Sequence, residues 1–301
     1  MSRRIVDIAG RRLSLGNLEK VLYPACGFTK AQVLDYYRRV APLLLPHLRG
    51  RALTLKRYPD GVEGESFFEK RCPPHRPAWA GTAEVLQEDG ERRTVCVADD
   101  LATLVWLANL AALELHVPLA RAASPQTPDA VVFDLDPGEG ADVLHCARVA
   151  ILLRDLFARL GLGSAVKTSG QKGLHVFVPL NRPGATFEAT RTFSRAVAVT
   201  LQRTCPDLVT AKMAKAARRG RVFLNWEQND ASKTMVCAYS LRAREEPWVS
   251  CPLAWEELER RERAGDRQGL RIGPEEALAR AEAAGDPFRD VLSKRQKLPH
   301  L

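Results

Sequence analysis

Apolar positions along this 301-residue chain follow two periods, and each period predicts elements. Helical spacing links Val33, Leu34, Tyr37 and Val40 behind Thr29, a residue able to cap a helix that would end near Pro42. Residues 101–115 are strongly apolar. They read as a fully buried helix capped by Asp99-Asp100, with His116 just past its end. Residues 141–160 form a long amphipathic helix closed by Gly161, and 187–203 form another. Alternation marks residues 51–58 as a strand ended by Pro59-Asp60-Gly61, and 82–97 as a hairpin through Glu88-Asp89-Gly90-Glu91. Residues 222–228 are a strand candidate carrying Asn225 and Glu227 on one face. From 252 onward come Pro-bounded helices with a charged linker at 260–269, then a basic tail.

One apolar run stands apart. Val131-Val132-Phe133 leads into Asp134-Leu135-Asp136 and stops at Pro137-Gly138. Strand residues two apart share a face, so the two carboxylates would project together, their backbones roughly 7 Å apart at ~3.3 Å per residue. Such a pair repels unless a cation sits between, and Mg²⁺ or Mn²⁺ suits it, taking oxygen ligands while leaving positions open for phosphate. A solvated acidic turn is the plain alternative. Downstream, a short strand at 165–168 meets Ser169-Gly170-Gln171-Lys172-Gly173-Leu174-His175, which runs into the apolar 176–180. Glycines that admit close backbone approach, with Ser and Lys beside them, make a nest for phosphate oxygens. The spacing is not that of a Walker A loop, and no helix follows it.

Composition adds a sign to this picture. Lys and Arg outnumber Asp and Glu by 45 to 36, a net charge of +9, which suits a polyanionic partner as well as it suits a solvated arginine-rich surface. Basic residues cluster at Lys212, Lys215, Arg218, Arg219 and Arg221. Phe67-Phe68 lie beside Lys70-Arg71 and follow Lys56-Arg57, an arrangement fit for base stacking if one ring is exposed. Lys20 and Lys30 flank a turn at a helix start, where they could hold a phosphate. The seven cysteines are scattered without a CxxC pair, which argues against a disulfide framework or zinc ribbon; Cys72-Pro-Pro-His75 reads as structural. No signal peptide or membrane-length apolar run is evident, so the expectation is a cytoplasmic protein with no membrane partner.

With these residues laid out, the chain resembles the polymerase domain of bacterial ligase D, a primase-polymerase of the archaeo-eukaryotic primase type. The resemblance rests on an ordered set of motifs: Lys56-Arg57-Tyr58-Pro59-Asp60-Gly61, Phe67-Phe68-Glu69-Lys70, Glu114-Leu115-His116, Asp134-Leu135-Asp136-Pro137-Gly138-Glu139-Gly140, Ser169-Gly-x-Lys172-Gly-x-His175 and Tyr239-Ser240-Leu241-Arg242. It extends from Leu18 to Pro299. It implies an α/β (α+β) fold whose mixed and antiparallel sheets are flanked by helices. A single domain over 1–301 is expected, with an N-terminal DNA- and 5′-phosphate-binding part (about 1–98), a catalytic core (about 99–250) and a helical closure (about 251–301).

The same resemblance implies a template-dependent nucleotidyltransferase in non-homologous end joining, using a two-metal site of Mn²⁺ or Mg²⁺ and preferring ribonucleotides to deoxynucleotides. Asp134 and Asp136 would bridge the metals. Ser169, Lys172 and His175 would hold the triphosphate, with His116 and Arg242 helping to bind the nucleotide. Lys20 and Lys30 match a pocket for the 5′-phosphate at a gap or broken end. Lys56, Arg57, Phe67, Phe68 and Gln228 would meet DNA, as would the basic run at 212–221. An end-joining ligase and Ku are implied partners, and the bacterial nucleoid the implied location.

One position departs from the pattern. Where the family carries a third metal-binding aspartate this chain has Asn225, which removes a full negative charge. Glu227, two residues on, could return part of it. Three readings follow: an active gap-filling polymerase, a DNA end-binding and bridging module impaired at one metal ligand, and, less well matched to the Ser169–His175 loop, a two-metal nuclease.

Overall fold

A computed structural model of the chain describes residues 3–86 and 90–299. Its elements gather into two compact units. The first takes the described residues of 1–123, 234–249 and 273–285; the second takes 124–233, 250–272 and the described residues of 286–301. The units do not follow the consecutive division expected from the sequence. Residues 234–249 return to the first unit because Met235–Val236 pairs with the strand Ala112–Val117.

In the first unit, Thr29 and Gln32 form a reciprocal capping box at the start of the helix Lys30–Leu48. That helix runs on through Pro42 and Pro46 instead of ending near Pro42. Each proline removes one backbone hydrogen bond, but Val40, Leu44 and Leu48 are fully buried, and that burial outweighs the loss. The hydroxyls of Tyr36 and Tyr37 donate to the carbonyls of Tyr239 and Leu113, both at 2.7 Å. The apolar stretch expected as one helix over 101–115 is two elements. Helix Leu101–Asn109 ends where Ala111 takes a left-handed backbone (φ 57°), and the strand Ala112–Val117 follows. A run this rich in apolar residues has no clear period to tell a buried helix from a buried strand, so the break is invisible to patterning.

Strands Met235–Val236, Ala112–Val117, Thr54–Arg57 and Phe67–Glu69 form a sheet in that order, with Phe67–Glu69 at the edge. Thr82–Leu86 and Arg92–Cys96 pair antiparallel as the expected hairpin; Glu88 and Asp89 of its turn lie outside the described residues. Cys72 is bonded to Cys96, where scattered cysteines had argued against disulfides. A bridge between positions 24 residues apart leaves no local spacing signal.

In the second unit, among the described residues, the sheet order is Val209–Thr210, Val222–Asn225, Ala130–Pro137, Leu174–Pro179, Ala165–Thr168, Pro252–Leu253. The first pair is parallel and the others antiparallel, a mixed sheet as expected. Helices Val143–Arg159 and Phe187–Thr204 bring Phe157 and Phe193 against Phe133, with ring centroids 5.2 and 6.5 Å from it. Strand side chains alternate, so Phe133 and Leu135 take the helix-covered face and Asp134 and Asp136 the other. Gly173 permits this register: a Cβ there would lie 1.8 Å from the Leu135 carbonyl oxygen. No helix among the described residues is long and apolar enough to cross a membrane.

Candidate active site

The register of the second sheet sets four polar residues in one cross-strand row. Asn225 is the Cα partner of Asp134, Asp134 of His175, and His175 of Lys167. Their side chains join along that row. Asn225 Nδ2 donates to Asp134 Oδ2 at 3.4 Å, and His175 Nε2 lies 3.3 Å from Asp134 Oδ1. Lys167 Nζ is 2.8 Å from His175 Nδ1 and 2.5 Å from Ser250 Oγ. Asp134, His175 and Lys167 are all buried. Beside the row, Ser169 Oγ accepts the N–H groups of Gln171 and Gly173 at 3.2 and 3.1 Å, which leaves the hydroxyl proton to donate outward. Lys172, on the same turn, is exposed.

Asp136 shares the face of Asp134. Burial pushes the nearby Cys146 thiol well up, and the charges of Asp136, Asp134 and Asp142 add to that shift. The strand bearing Asn225 ends there, so Glu227 does not share its face, as alternation over 222–228 had implied. Glu227 sits in the following turn, 4.0 Å from Lys233. The strand stops because Val132, which would continue the pairing, is served by the Asn229 side chain. Asn229 Oδ1 accepts the Val132 N–H and its Nδ2 donates to the Val132 carbonyl. Gln228 lies half-buried in the same turn.

Among the described residues no three His, Cys, Asp or Glu side chains are grouped to hold a metal ion. The donor set at the row is instead two carboxylates and an amide. Asn225 Oδ1 is buried and has no hydrogen-bond partner among the described residues, while its Nδ2 is spent on Asp134. An orphaned oxygen beside a carboxylate fits a hard cation such as Mg²⁺ or Mn²⁺.

The basic run packs on the end of this strand. Gly138 N–H donates to the Arg221 carbonyl at 2.8 Å and Gly220 N–H to the Glu139 carbonyl at 2.6 Å. A Cβ at Gly138 would fall 1.9 Å from the Arg218 carbonyl oxygen. Arg218 lies over the Phe223 ring, whereas Lys212, Lys215 and Arg219 are exposed.

The first unit carries a second polar group. Glu114 is 1% exposed; its Oε2 is 2.9 Å from His116 Nε2, and its Oε1 accepts the Ala243 N–H at 3.1 Å. Arg242 Nε is 3.3 Å from the same Oε1. Burial alone would raise the Glu114 carboxyl; the His116 hydrogen bond, the Arg242 charge and the Ala243 N–H hold it down, at about 2. Burial pushes His116 below its usual value, with Glu114 opposing. His116 therefore sits on a strand, not beyond a helix end. Phe68 meets its ring edge-on at 5.8 Å, and Lys56 lies over Phe68 and Tyr58. Phe67 and Phe68 are both exposed, at 44% and 56%, where one had been expected. Their strand is the last of its sheet, and the rings are met only in part, by His116 and Lys56 at Phe68 and by Arg57 at Phe67. Arg57 is engaged within the unit, by Glu69 at 3.1 Å and the Leu110 carbonyl at 2.9 Å. Lys20 and Lys30 come together: Lys30 N–H donates to the Lys20 carbonyl, Lys20 pairs with Asp60 at 2.7 Å, and Lys30 Nζ donates to the Gly16 carbonyl at 2.7 Å. Burial, with Lys20 and Arg57 nearby, pushes the Lys30 ammonium down to about 8.

The family model described as "LigD, primase-polymerase domain" matches residues 29–288. The chain belongs to this family. It is 40% identical over 299 residues to the multifunctional non-homologous end joining DNA repair protein LigD of Mycobacterium tuberculosis, covering 96% of this chain and 39% of that protein. To the bifunctional LigD of Bacillus subtilis it is 34% identical over 248 residues, covering 82% and 40%. The chain thus spans about two fifths of the curated relatives it matches. Among solved structures it matches the polymerase domain of Mycobacterium tuberculosis ligase D in complex with DNA. The TM-score is 0.87 at 39% identity, over 95% of this chain and 99% of that one. Within this primase-polymerase domain, motif reading passed over Lys167, Ser250 and Asn229 and gave Glu114 no task. Lysine following Ala165 and Val166 in the short strand Ala165–Thr168 was the available signal.

Proposed function

We propose that the chain is a template-dependent nucleotidyltransferase that fills gaps and extends broken ends during non-homologous end joining, with ribonucleoside triphosphates as preferred substrates. The observation that carries this is the row Asn225–Asp134–His175 beside the Ser169–His175 loop. It places acidic oxygens against neutral and cationic donors, the arrangement that a triphosphate and its counter-ions require. Ser169 Oγ–H and the Lys172 ammonium hold phosphate oxygens, and His175 shares with them the Nε2–H that faces Asp134 in the structure. His116 and Arg242, both steadied by Glu114, are the first unit's nucleotide ligands in this reading. A growing strand's 3′-hydroxyl attacks the α-phosphorus in line and pyrophosphate leaves. Asp134, Asp136 and Asn225 Oδ1 would hold Mn²⁺ or Mg²⁺, which when bound neutralises phosphate charge and activates the attacking oxygen.

Lys20 and Lys30 take the 5′-phosphate across the gap, with Asp60 giving up Lys20 on binding. Phe67 and Phe68 stack on template bases beside Lys56 and Arg57. The exposed cations of the 212–221 run, with Gln228, bind DNA ends. A ligase and Ku acting on the same ends, in the bacterial cytoplasm at the nucleoid, complete the reading.

The amide at 225 favours a second reading, an end-binding and bridging module that no longer extends. Glu227, tied toward Lys233 in a turn, is not on the strand face from which the missing charge could be replaced directly. Primer extension on a 5′-phosphorylated gapped duplex with NTPs and Mn²⁺ separates them. Extension by the chain as it stands supports the polymerase. Extension by Asn225→Asp alone supports the bridging module. Shortened DNA from either overturns both.

A further inference from the structure

We propose that Lys167 is a positioning residue, whose buried ammonium holds His175 in the tautomer that presents Nε2–H to Asp134. This deepens the reading above, and rests on it only for what the ordered imidazole then does. Lys167 is 1% exposed on the strand Ala165–Thr168, directly across from His175. Its ammonium lies 2.8 Å from His175 Nδ1 and 2.5 Å from Ser250 Oγ, and 6.0 Å from the Phe177 ring centroid.

The proton positions follow from donor and acceptor bookkeeping. Ser250, itself fully buried, spends its hydroxyl proton on the Thr168 carbonyl at 2.9 Å, so toward Lys167 it can only accept. An ammonium has three donors and no acceptor, so His175 Nδ1 must offer a lone pair. The proton of the neutral imidazole is then on Nε2, which faces Asp134 Oδ1 at 3.3 Å. The reverse arrangement would set an Nε2 lone pair against a carboxylate oxygen. Donation therefore runs one way along the row, from Lys167 to His175 to Asp134, and Asn225 Nδ2 donates to the carboxylate from the other side.

The cost of burying a charge makes the choice of lysine informative. An apolar side chain of similar volume would fill the same space without desolvating an ammonium. What it would not do is supply a donor to Nδ1. Where a histidine is a metal ligand, losing the partner that orients it through its other nitrogen changes affinity or activity by roughly 10- to 100-fold, and the low end of that range is the scale taken for His175.

The test reads the tautomer directly and needs neither nucleotide nor DNA. Long-range ¹H–¹⁵N correlation of histidine-labelled protein at one fixed pH, with His175 assigned by its loss in His175→Gln, reports which nitrogen carries the proton. The expected pattern is a bare Nδ1 and a protonated Nε2. A protonated Nδ1 in the unmodified chain overturns the proposal, whether or not any variant folds. Lys167→Met is expected to lose the single pattern while Ser250→Ala, which keeps the ammonium, retains it. An unchanged pattern in a folded Lys167→Met also overturns the proposal. Nucleotide binding gives the consequence: about tenfold weaker in Lys167→Met, with affinity for gapped DNA unchanged. A tautomer as expected with no nucleotide binding by any form would leave Lys167's role standing and refute the polymerase reading instead.

Discussion

Restoring a carboxylate at position 225 should make the cation-free protein less stable and the cation-loaded protein more so. In the present chain Asn225 Nδ2 donates to Asp134 Oδ2 at 3.4 Å, a hydrogen bond to a charged acceptor. Asn225→Asp replaces that donor with an anionic oxygen at a similar distance. At an effective dielectric constant near 20, two unit charges so placed repel by about 5 kcal/mol before relaxation or proton uptake. The lost bond alone is worth about 1.5–3 kcal/mol. Proton uptake and the His175 donor on the far oxygen absorb part of the repulsion, so a net loss of about 2–4 kcal/mol is expected. In a chain of this size each kcal/mol moves the melting temperature by roughly 2 °C, giving a drop of about 4–8 °C in EDTA. Mn²⁺ then reverses the order, since binding at 100 times Kd adds about 2.7 kcal/mol and the variant holds the ion with one more charge. Thermal melts of both proteins in EDTA and in a Mn²⁺ series read this out. Equal melting temperatures in EDTA, or an equal Mn²⁺ gain, would refute the assignment of Asp134 and position 225 to one cation site.

Acid should act through Glu114. A carboxyl held at about 2 against an ordinary 4.5 contributes stability above the ordinary value and loses it as pH falls from 4.5 toward 2. Glu114→Gln should be less stable near neutrality by about 3 kcal/mol and flatter across that window, measured by denaturant midpoints against pH. Lys30, pushed down to about 8, sheds its charge as pH rises through that value. The preference for 5′-phosphorylated over 5′-hydroxyl gapped DNA should therefore shrink from pH 7 to 9, and Lys30→Arg should flatten the change; a constant preference counts against the pocket. Because Phe67 and Phe68 are exposed, their alanine variants should melt within a degree or two of the parent. Template binding should nonetheless weaken by about 1–3 kcal/mol per lost stack, seen by fluorescence anisotropy.

Local chemistry carried much of this protein in its sequence. Thr29 announced its cap, and the Asp134-Leu-Asp136 alternation determined that both carboxylates share a face. Ser169 to Gly173 stood out as a glycine turn between two strands, and the ordered motifs determined the family. The cap, the shared face and the turn are legible because each depends on neighbours a few positions away. Long-range pairing decided the rest. That Leu110-Ala111 breaks an apolar run into helix and strand depends on what residues 112–117 pair with, and uniform hydrophobicity has no period to show it. That Glu227 leaves the strand depends on an amide four residues after Asn225 reaching Val132, and that both phenylalanines are exposed depends on how little packs over either face of their strand. Lys167 meets His175 only because two strands pair in one register, and a one-residue slip would turn it to the opposite face. Spacing along the chain chose which chemical groups were present; the sheet register chose which of them touch.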